Sequence, residues 1–184
     1  MLVSIGNGSA PDSHEDRASD PAAAGVIRML YSASITGPWK QRRGVILAPG
    51  ATGSWDSFVS NPSLFFFPNG SVLMAYRGGP CLGCPPIKNG GGHHIGIATA
   101  SAWDQEFKRI GDAPVFTTLN EDPGIFQDHR GSFHMLTHMF SNSSHSPGFG
   151  GHAFSANGLD WTFAGQAYVD CRRTRIPTCF LSPL

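Results

Sequence analysis

The chain has 184 residues, 40% of them hydrophobic and 14% charged, with thirteen Lys and Arg balancing thirteen Asp and Glu. That is enough apolar material for a globular core, which sets aside disorder, and the charge balance offers no field to attract nucleic acid or an anionic membrane. No apolar run approaches the roughly 18 residues that span a bilayer, and a small neutral partner fits these properties best.

Residues 1–24 are polar and without period, with Asp12, His14, Glu15, Asp16 and Asp20 scattered among Gly, Ser and Ala, so they are expected to form a poorly ordered leader. The first ten residues have neither the charged nor the apolar region of a signal peptide. A strand is expected over 26–34, followed by a turn at Gly37, Pro38 and Trp39. Strands over 60–67 and 71–77 are joined by Pro68, Asn69 and Gly70, whose Asn-Gly step is a strong hairpin signal. A loop over 78–92 leads to a strand at 94–100 and then to strands at 107–110 and 115–118. A second hairpin, 123–127 and 132–139, turns through 128–131. Strands near 152–155 and 161–164 follow. With 23 Gly and 14 Pro spacing such short elements, the chain reads as mostly β.

The two hairpins are copies. Asn61, Pro62, Ser63, Leu64, Phe65, Gly70, Ser71 and Met74 recur as Asp122, Pro123, Gly124, Ile125, Phe126, Gly131, Ser132 and Met135, each displaced by 61 residues. The matched positions have separate physical jobs: a Pro opening an extended run, an apolar pair, a Gly-Ser turn and an apolar return strand. Each hairpin is followed by a further strand, a turn and an aromatic, Trp103 or Trp161, which is the anatomy of a four-stranded propeller blade. Propellers close with about 4–8 blades, and 184 residues supply only about three at this period, so the chain is expected to be a piece of a longer propeller. Its domain is expected over 25–175, with an irregular tail at 176–184.

Cys81 and Cys84 form a lone close pair and Cys171 and Cys179 a loose one, which favours a loop disulfide or free thiols over zinc. His93 and His94 follow three glycines without further ligands at metal spacing, so neither a metal nor another cofactor is expected. Sequons at Asn7, Asn69 and Asn142 point toward a secretory origin without fixing the compartment. Nothing in the sequence sets the oligomeric state.

The ordered set Asn61-Pro62-Ser63, Asn69-Gly70-Ser71, Tyr76-Arg77-Gly78, His94 to Ala98, Asn120-Glu121-Asp122-Pro123 and Gly151 to Ser155 with Gly158 and Trp161 resembles the five-bladed β-propeller glycosidases. This is the arabinanase, levansucrase and invertase superfamily, and the likeness is nearest to glycoside hydrolase family 43. The resemblance covers roughly 25–175 and implies an all-β partial five-bladed propeller acting on or binding a polysaccharide or oligosaccharide. It also implies an axial funnel of acids on innermost strands. Asp122, in its Asp-Pro step, matches the carboxylate that stabilises the transition state or tunes a pKa; Glu121 stands where the invertase branch has Arg. Near Arg172 to Pro177, Thr174 occupies the place of an expected acid, so the proton donor is expected to be missing and the chain inactive.

Read from the residues themselves, Glu121 and Asp122 are the candidate catalytic acids, and adjacent side chains on a strand are expected to diverge. Glu106, beside Trp103, is expected on an exposed outer strand. Asn61 is a candidate sugar contact or a turn-bonding residue. Arg77, His138 and His152 are candidate donors to sugar hydroxyls, and Trp55 a candidate stacking platform. The motif from Ser155 to Trp161 resembles the Asp-box turn of sialidase propellers, one residue short. Two functions stand open: a glycoside hydrolase, or a propeller that kept the fold and only binds or scaffolds carbohydrate.

Overall fold

Strands β5 and β9 are the central strands of the two hairpin copies, and their burial shows how the sheets stack. In β5, Val72–Gly79, Val72, Leu73, Met74, Ala75 and Tyr76 are all buried, so both faces of this strand are covered. In β9, Phe133–Ser141, Phe133, Met135 and Thr137 are buried while Leu136 is 41% exposed, the alternation of a strand covered on one face only. The structure, a computed structural model, describes residues 2–7, 25–79, 92–141 and 144–169.

Three antiparallel sheets follow in chain order. The first comprises β1 (Leu2–Asn7), β2 (Ile27–Ser32) and β3 (Lys40–Gln41). The second comprises β4 (Phe58–Phe66), β5, β6 (His94–Ala100) and β7 (Lys108–Arg109) in that spatial order. The third comprises β8 (Asn120–Gln127), β9, β10 (Ser144–Ser155) and β11 (Thr162–Val169), again in chain order across the sheet. No helix occurs among the described residues. Each full sheet is the four-stranded meander expected of a blade. In the first sheet β3 holds the place of β7, β2 that of β6, and β1 that of β5.

Two apolar seams bind the stack. Ile27 and Met29 of the first sheet, with Ile46 and Leu47, meet Val59, Val72, Met74, Tyr76 and Ala98 of the second. On its other face the second sheet presents Leu73, Ala75, Ile95 and Ile97 to Ile125, Phe133, Met135 and Ala153 of the third. Phe65 and Phe67 close that seam edge-on and tilted against Phe133, at centroid distances of 5.1 and 5.8 Å.

The repeat is visible in backbone detail. At the hairpin tips, Phe67 N donates to Ser71 O and Asp128 N donates to Ser132 O, each at 2.9 Å, with Gly70 and Gly131 at φ 88° and 89°. At the hairpin heads, the β4–β5 ladder slips between Ser60 and Ser63 and the β8–β9 ladder between Glu121 and Gly124. The bulged residues, Asn61 and Asp122, have φ of 46° and 51°, a left-handed backbone that Asn and Asp tolerate better than other side-chain-bearing residues.

The outward face of the third sheet departs from this symmetry. Phe65, Phe67 and Leu73, which the third sheet covers, correspond by the 61-residue step to Phe126, Asp128 and His134; strand pairing matches Ile97 to His152. There His134 Nε2 meets Asp128 Oδ2 at 3.3 Å and His134 Nδ1 meets His152 Nε2 at 3.0 Å, between the half-exposed rings of Phe126 and Phe154. An apolar trio has become a hydrogen-bonded polar chain.

Two expectations are corrected. Residues 115–118 form no strand: Val115 N donates to Ile95 O and Phe116 turns into the second seam, so the segment lies across the sheet as an irregular strap. Within the leader at 1–24, Leu2–Asn7 pairs along its length with β2. That pairing uses backbone groups, which the polar composition of the following residues did not reveal. The irregular turn after Ser155 is structural: Ser155 Oγ accepts from Asn157 N and Gly158 N, and Asn157 Oδ1 accepts from Leu159 N and Asp160 N. The four cysteines, Thr174 with its neighbours, the 176–184 tail and the sequon asparagine Asn142 lie outside the described residues.

Candidate functional site

The heads of β4 and β8 lie side by side, and their bulges gather the polar groups. Ser60 pairs with Arg77 in the second sheet, and Glu121 pairs with His138 at the corresponding place in the third. Asn61 Nδ2 donates to Asp122 Oδ1 between the sheets, and the backbone N–H of Ile125 donates to Ser63 Oγ at 3.1 Å. Behind them, buried Asn120 accepts from Thr137 Oγ1 at 2.6 Å and donates to Thr118, fixing the start of β8. Gly151 makes this possible, because a Cβ there would meet Thr137 Oγ1 at 2.5 Å.

Glu121 is the hub. Its Oε2 lies 2.7 Å from His93 Nδ1 and 3.5 Å from Arg77 Nε, and its Oε1 lies 3.4 Å from His138 Nδ1. The side chains of Glu121 and Arg77 are each only 17% exposed, whereas that of Asp122 is 54% exposed. Arg77 also donates through Nη1 to Ser60 Oγ at 3.1 Å. Burial lowers the Arg77 pKa from its ordinary value, and the negative charges of Glu121 and Asp122 work against that shift. His94, beside His93, is also lowered, first by burial and then by the His93 charge.

Adjacent acids were expected to diverge, and they do not. The bulge at Asp122 interrupts the alternation, so a carboxylate oxygen of Glu121, one of Asp122 and a ring nitrogen of His138 all lie within 4.8 Å of one another. These three are ligand-type groups, where the sequence had suggested no metal set. Arg77 already supplies positive charge to Glu121, and the Asn61 amide supplies a neutral hydrogen-bond donor to Asp122.

Of the candidate residues, Asn61, Arg77, Glu121, Asp122 and His138 meet in this cluster. Trp55 and His152 do not. The Trp55 indole packs against the glycine backbones of Gly78 and Gly96, stacks on Tyr76 at 6.0 Å and donates from Nε1 to Asp112 O at 3.0 Å. It packs, partly buried, against the core. His152 sits on the outward face of the third sheet with His134, two residues beyond the His138 partner Gly150. The additional members are His93 and Ser60. His93 arrives from the residues before β6, and its contact with Glu121 arises only through packing, so no sequence spacing signals it.

No family model matches the chain, and no curated protein matches it. Solved structures do. The exo-β-1,3-galactanase of Phanerochaete chrysosporium, solved with β-1,3-galactotriose, superposes with a TM-score of 0.57 at 20% identity, over 79% of this chain and 32% of that one. A glycoside hydrolase family 43 arabinoxylan arabinofuranohydrolase from Bacillus subtilis, solved with cellotetraose, gives 0.55 at 20% identity over 78% and 31%. The fold is that of the glycosidase β-propellers. A glycosyl hydrolase from Bacteroides ovatus is 26% identical over 59% of this chain and 31% of that one, at a TM-score of 0.46. The chain thus spans about a third of the length of the chains it matches, and its sheets take the place of blades in that fold.

Proposed function

We propose that the protein is a carbohydrate-active propeller whose site, centred on Glu121 and Asp122, holds an oligosaccharide. The observation that carries this reading is the convergence of two carboxylates with Arg77, His93 and His138 at adjoining bulges of a glycosidase-type fold. Carboxylates accept from sugar hydroxyls, and guanidinium and imidazole donate to them. Asp122 is the carboxylate open to a ligand. Glu121 orients Arg77 and His138 around it.

Hydrolysis ordinarily places two carboxyl groups on either side of the scissile bond, about 5–5.5 Å apart for retention or 6.5–9.5 Å for inversion. Glu121 and Asp122 come from one strand head and share His138, so they occupy one side of a bound sugar. Among the described residues, no other carboxylate makes a contact with this cluster. Asp56 pairs with Arg109, Asp128 with His134, and Asp160 accepts from Asn157. In the hydrolytic reading, Asp122 stabilises the transition state and the proton donor comes from outside the described residues. That same distribution of acids favours a second reading, a propeller that binds carbohydrate without cleaving it. In the second reading the chain binds and does not turn over.

The test is calorimetric titration with arabinan, xylan, fructan and galactan oligosaccharides alongside a product assay. Binding that Asp122→Asn and Glu121→Gln weaken, with strand circular dichroism retained, supports the site. Turnover abolished by Asp122→Asn selects hydrolysis, and binding indifferent to both substitutions overturns the assignment.

A further inference from the structure

The seam between the outer edges of the first and second sheets holds two adjoining cavities remote in the sheets from Glu121. One, of about 500 Å³, is bounded by Tyr31, Ser32, Pro38 and Lys40 on the first sheet and by Trp103 on the turn after β6. Tyr31 and Trp103 meet with ring centroids 5.1 Å apart and planes tilted by 54°, making an angled apolar wall. The other, of about 490 Å³, lies between Arg42 and the side chains of Thr99, Ser101, Gln105, Glu106 and Lys108. The turn at 101–106 gives Trp103 to one cavity and Gln105 to the other, and the segment at 40–42 gives Lys40 to one and Arg42 to the other. They are successive compartments of one groove, each within the roughly 300–1,000 Å³ of ligand pockets.

The groove is positively charged on a chain of zero net charge. Lys40, Arg42 and Lys108 line it against Glu106 alone. Arg42 donates through Nε to Asp104 O and through Nη1 to Arg43 O, both backbone acceptors. Among the described residues, Lys40, Arg42 and Lys108 have no carboxylate partner, in contrast to Arg77 and Arg109.

We propose that this groove is a second, peripheral site for an acidic oligosaccharide. One sugar ring lies with its C–H face on Tyr31 and Trp103, and an anionic substituent on a neighbouring sugar meets Arg42 and Lys108. Lys40 faces the ring hydroxyls of the first sugar. Glu106 interrupts the cationic wall, which suits a discrete carboxylate or sulfate ester and opposes a continuous phosphate backbone. The proposal rests on the carbohydrate reading for the class of ligand and uses neither Glu121 nor Asp122.

The full chain is titrated with oligogalacturonate, a sulfated galacto-oligosaccharide and neutral β-1,3-galactotriose. An acidic probe should bind with an affinity that falls as salt is raised, and the responding probe identifies the substituent as carboxylate or sulfate. Arg42→Glu with Lys108→Glu should weaken that binding by roughly tenfold or more, about 1.4 kcal/mol. Tyr31→Ala should weaken it as well, while Glu121→Gln leaves it unchanged. Trp103 packs on the core, so the charge-reversal pair, Lys108 exposed and Arg42 partly so, serves as the decisive variant. Acidic binding that survives charge reversal, or that Glu121→Gln removes, overturns the proposal. Binding of duplex DNA or anionic vesicles through Arg42 and Lys108, without acidic glycan binding, overturns it too. Neutral triose bound through Glu121 with no acidic binding overturns the proposal and leaves the axial site standing; absence of all glycan binding overturns both.

Discussion

The side-chain amide of Asn61 donates to the carboxylate of Asp122, its own counterpart one repeat of 61 residues later, and both residues hold left-handed backbone at φ 46° and 51°. One bulge geometry therefore presents a donor from one blade and an acceptor from the next. Asn61→Ala removes the donor and leaves a residue poorly suited to that backbone. Unfolding in urea should register a loss of roughly 1–3 kcal/mol. Asn61→Gly, which keeps the backbone at ease, should lose less, and equal losses would show that the hydrogen bond alone decides the effect.

Gly96 is expected to tolerate no side chain. A Cβ there would run into the Tyr76 ring and come within 2.6 Å of Trp55 Cη2. Gly96→Ala should cost about 1–3 kcal/mol by overpacking. Combining it with Trp55→Phe should recover part of the loss in thermal unfolding. No recovery would place Trp55 outside the packing role given to it here.

Asp56 is buried and accepts from Ser54 Oγ at 2.9 Å, from Tyr76 Oη at 3.3 Å and from Arg109 Nε at 2.6 Å. Removing one charge of such a pair strands the other. Arg109→Met should therefore destabilise by roughly 3–5 kcal/mol, and Asp56→Leu with Arg109→Met by clearly less than the sum of the single changes. Burial, reinforced by the Asp56 charge, raises the Tyr76 pKa well above the ordinary tyrosine value. Its phenol should stay protonated in alkaline titrations that ionise exposed tyrosines.

Acid should weaken the fold from near neutrality. The pKa values of His94 and His152 are lowered, in each case first by burial and then by the neighbouring histidine. The unfolded chain therefore takes up protons near pH 6.5 while the folded one resists them, so this stability is present above about 6.5 and falls as pH drops toward the folded values. Asp128 adds a later loss. Desolvation would raise its pKa, but hydrogen bonds from Ser132, His134 and Arg130 outweigh that and lower it. Urea midpoints should hold steady above neutrality and decline below about pH 6.5, with His94→Gln and His152→Gln flattening the first part of the decline. A flat profile down to about pH 5 would contradict the assignment.

The exposed face of the third sheet should become adhesive when its polar chain is replaced. His134→Leu with His152→Ile restores the apolar side chains that Leu73 and Ile97 supply in the second sheet, on a face where Phe126 and Phe154 are already 46% and 44% exposed. Sedimentation velocity should show concentration-dependent self-association beyond that of the parent chain. Identical profiles would mean that the histidines do not limit contact.

The hairpins and their 61-residue spacing were legible because each position has a local cause: a Gly with positive φ at the tip, an Asx side chain bonding the turn, apolar residues alternating along β9. Asn61 and Asp122 were equated correctly, yet their direction was not readable. Alternation fails at a bulge, and a bulge is a property of the pair of strands. Trp55 looked available because an aromatic beside polar residues carries no mark of the glycines that receive it, Gly78 and Gly96, more than twenty residues away. His93 belongs to Glu121 only through the approach of two sheets. The segment at 115–118 had strand composition but no ladder to join, since β7 pairs only with β6 and β11 only with β10.

Repeated sheets invite misassembly, because a face that fits one neighbour will fit any copy of it. The Asp128, His134 and His152 chain breaks that equivalence. During folding, the Phe65, Phe67 and Leu73 face accepts the Phe133 and Met135 side of the next sheet, whereas the Phe126, Asp128 and His134 face would have to bury an imidazole pair against it. The order of blades is thereby encoded in side chains as well as in the connecting chain, and a permuted or domain-swapped stacking through this face of the third sheet is penalised.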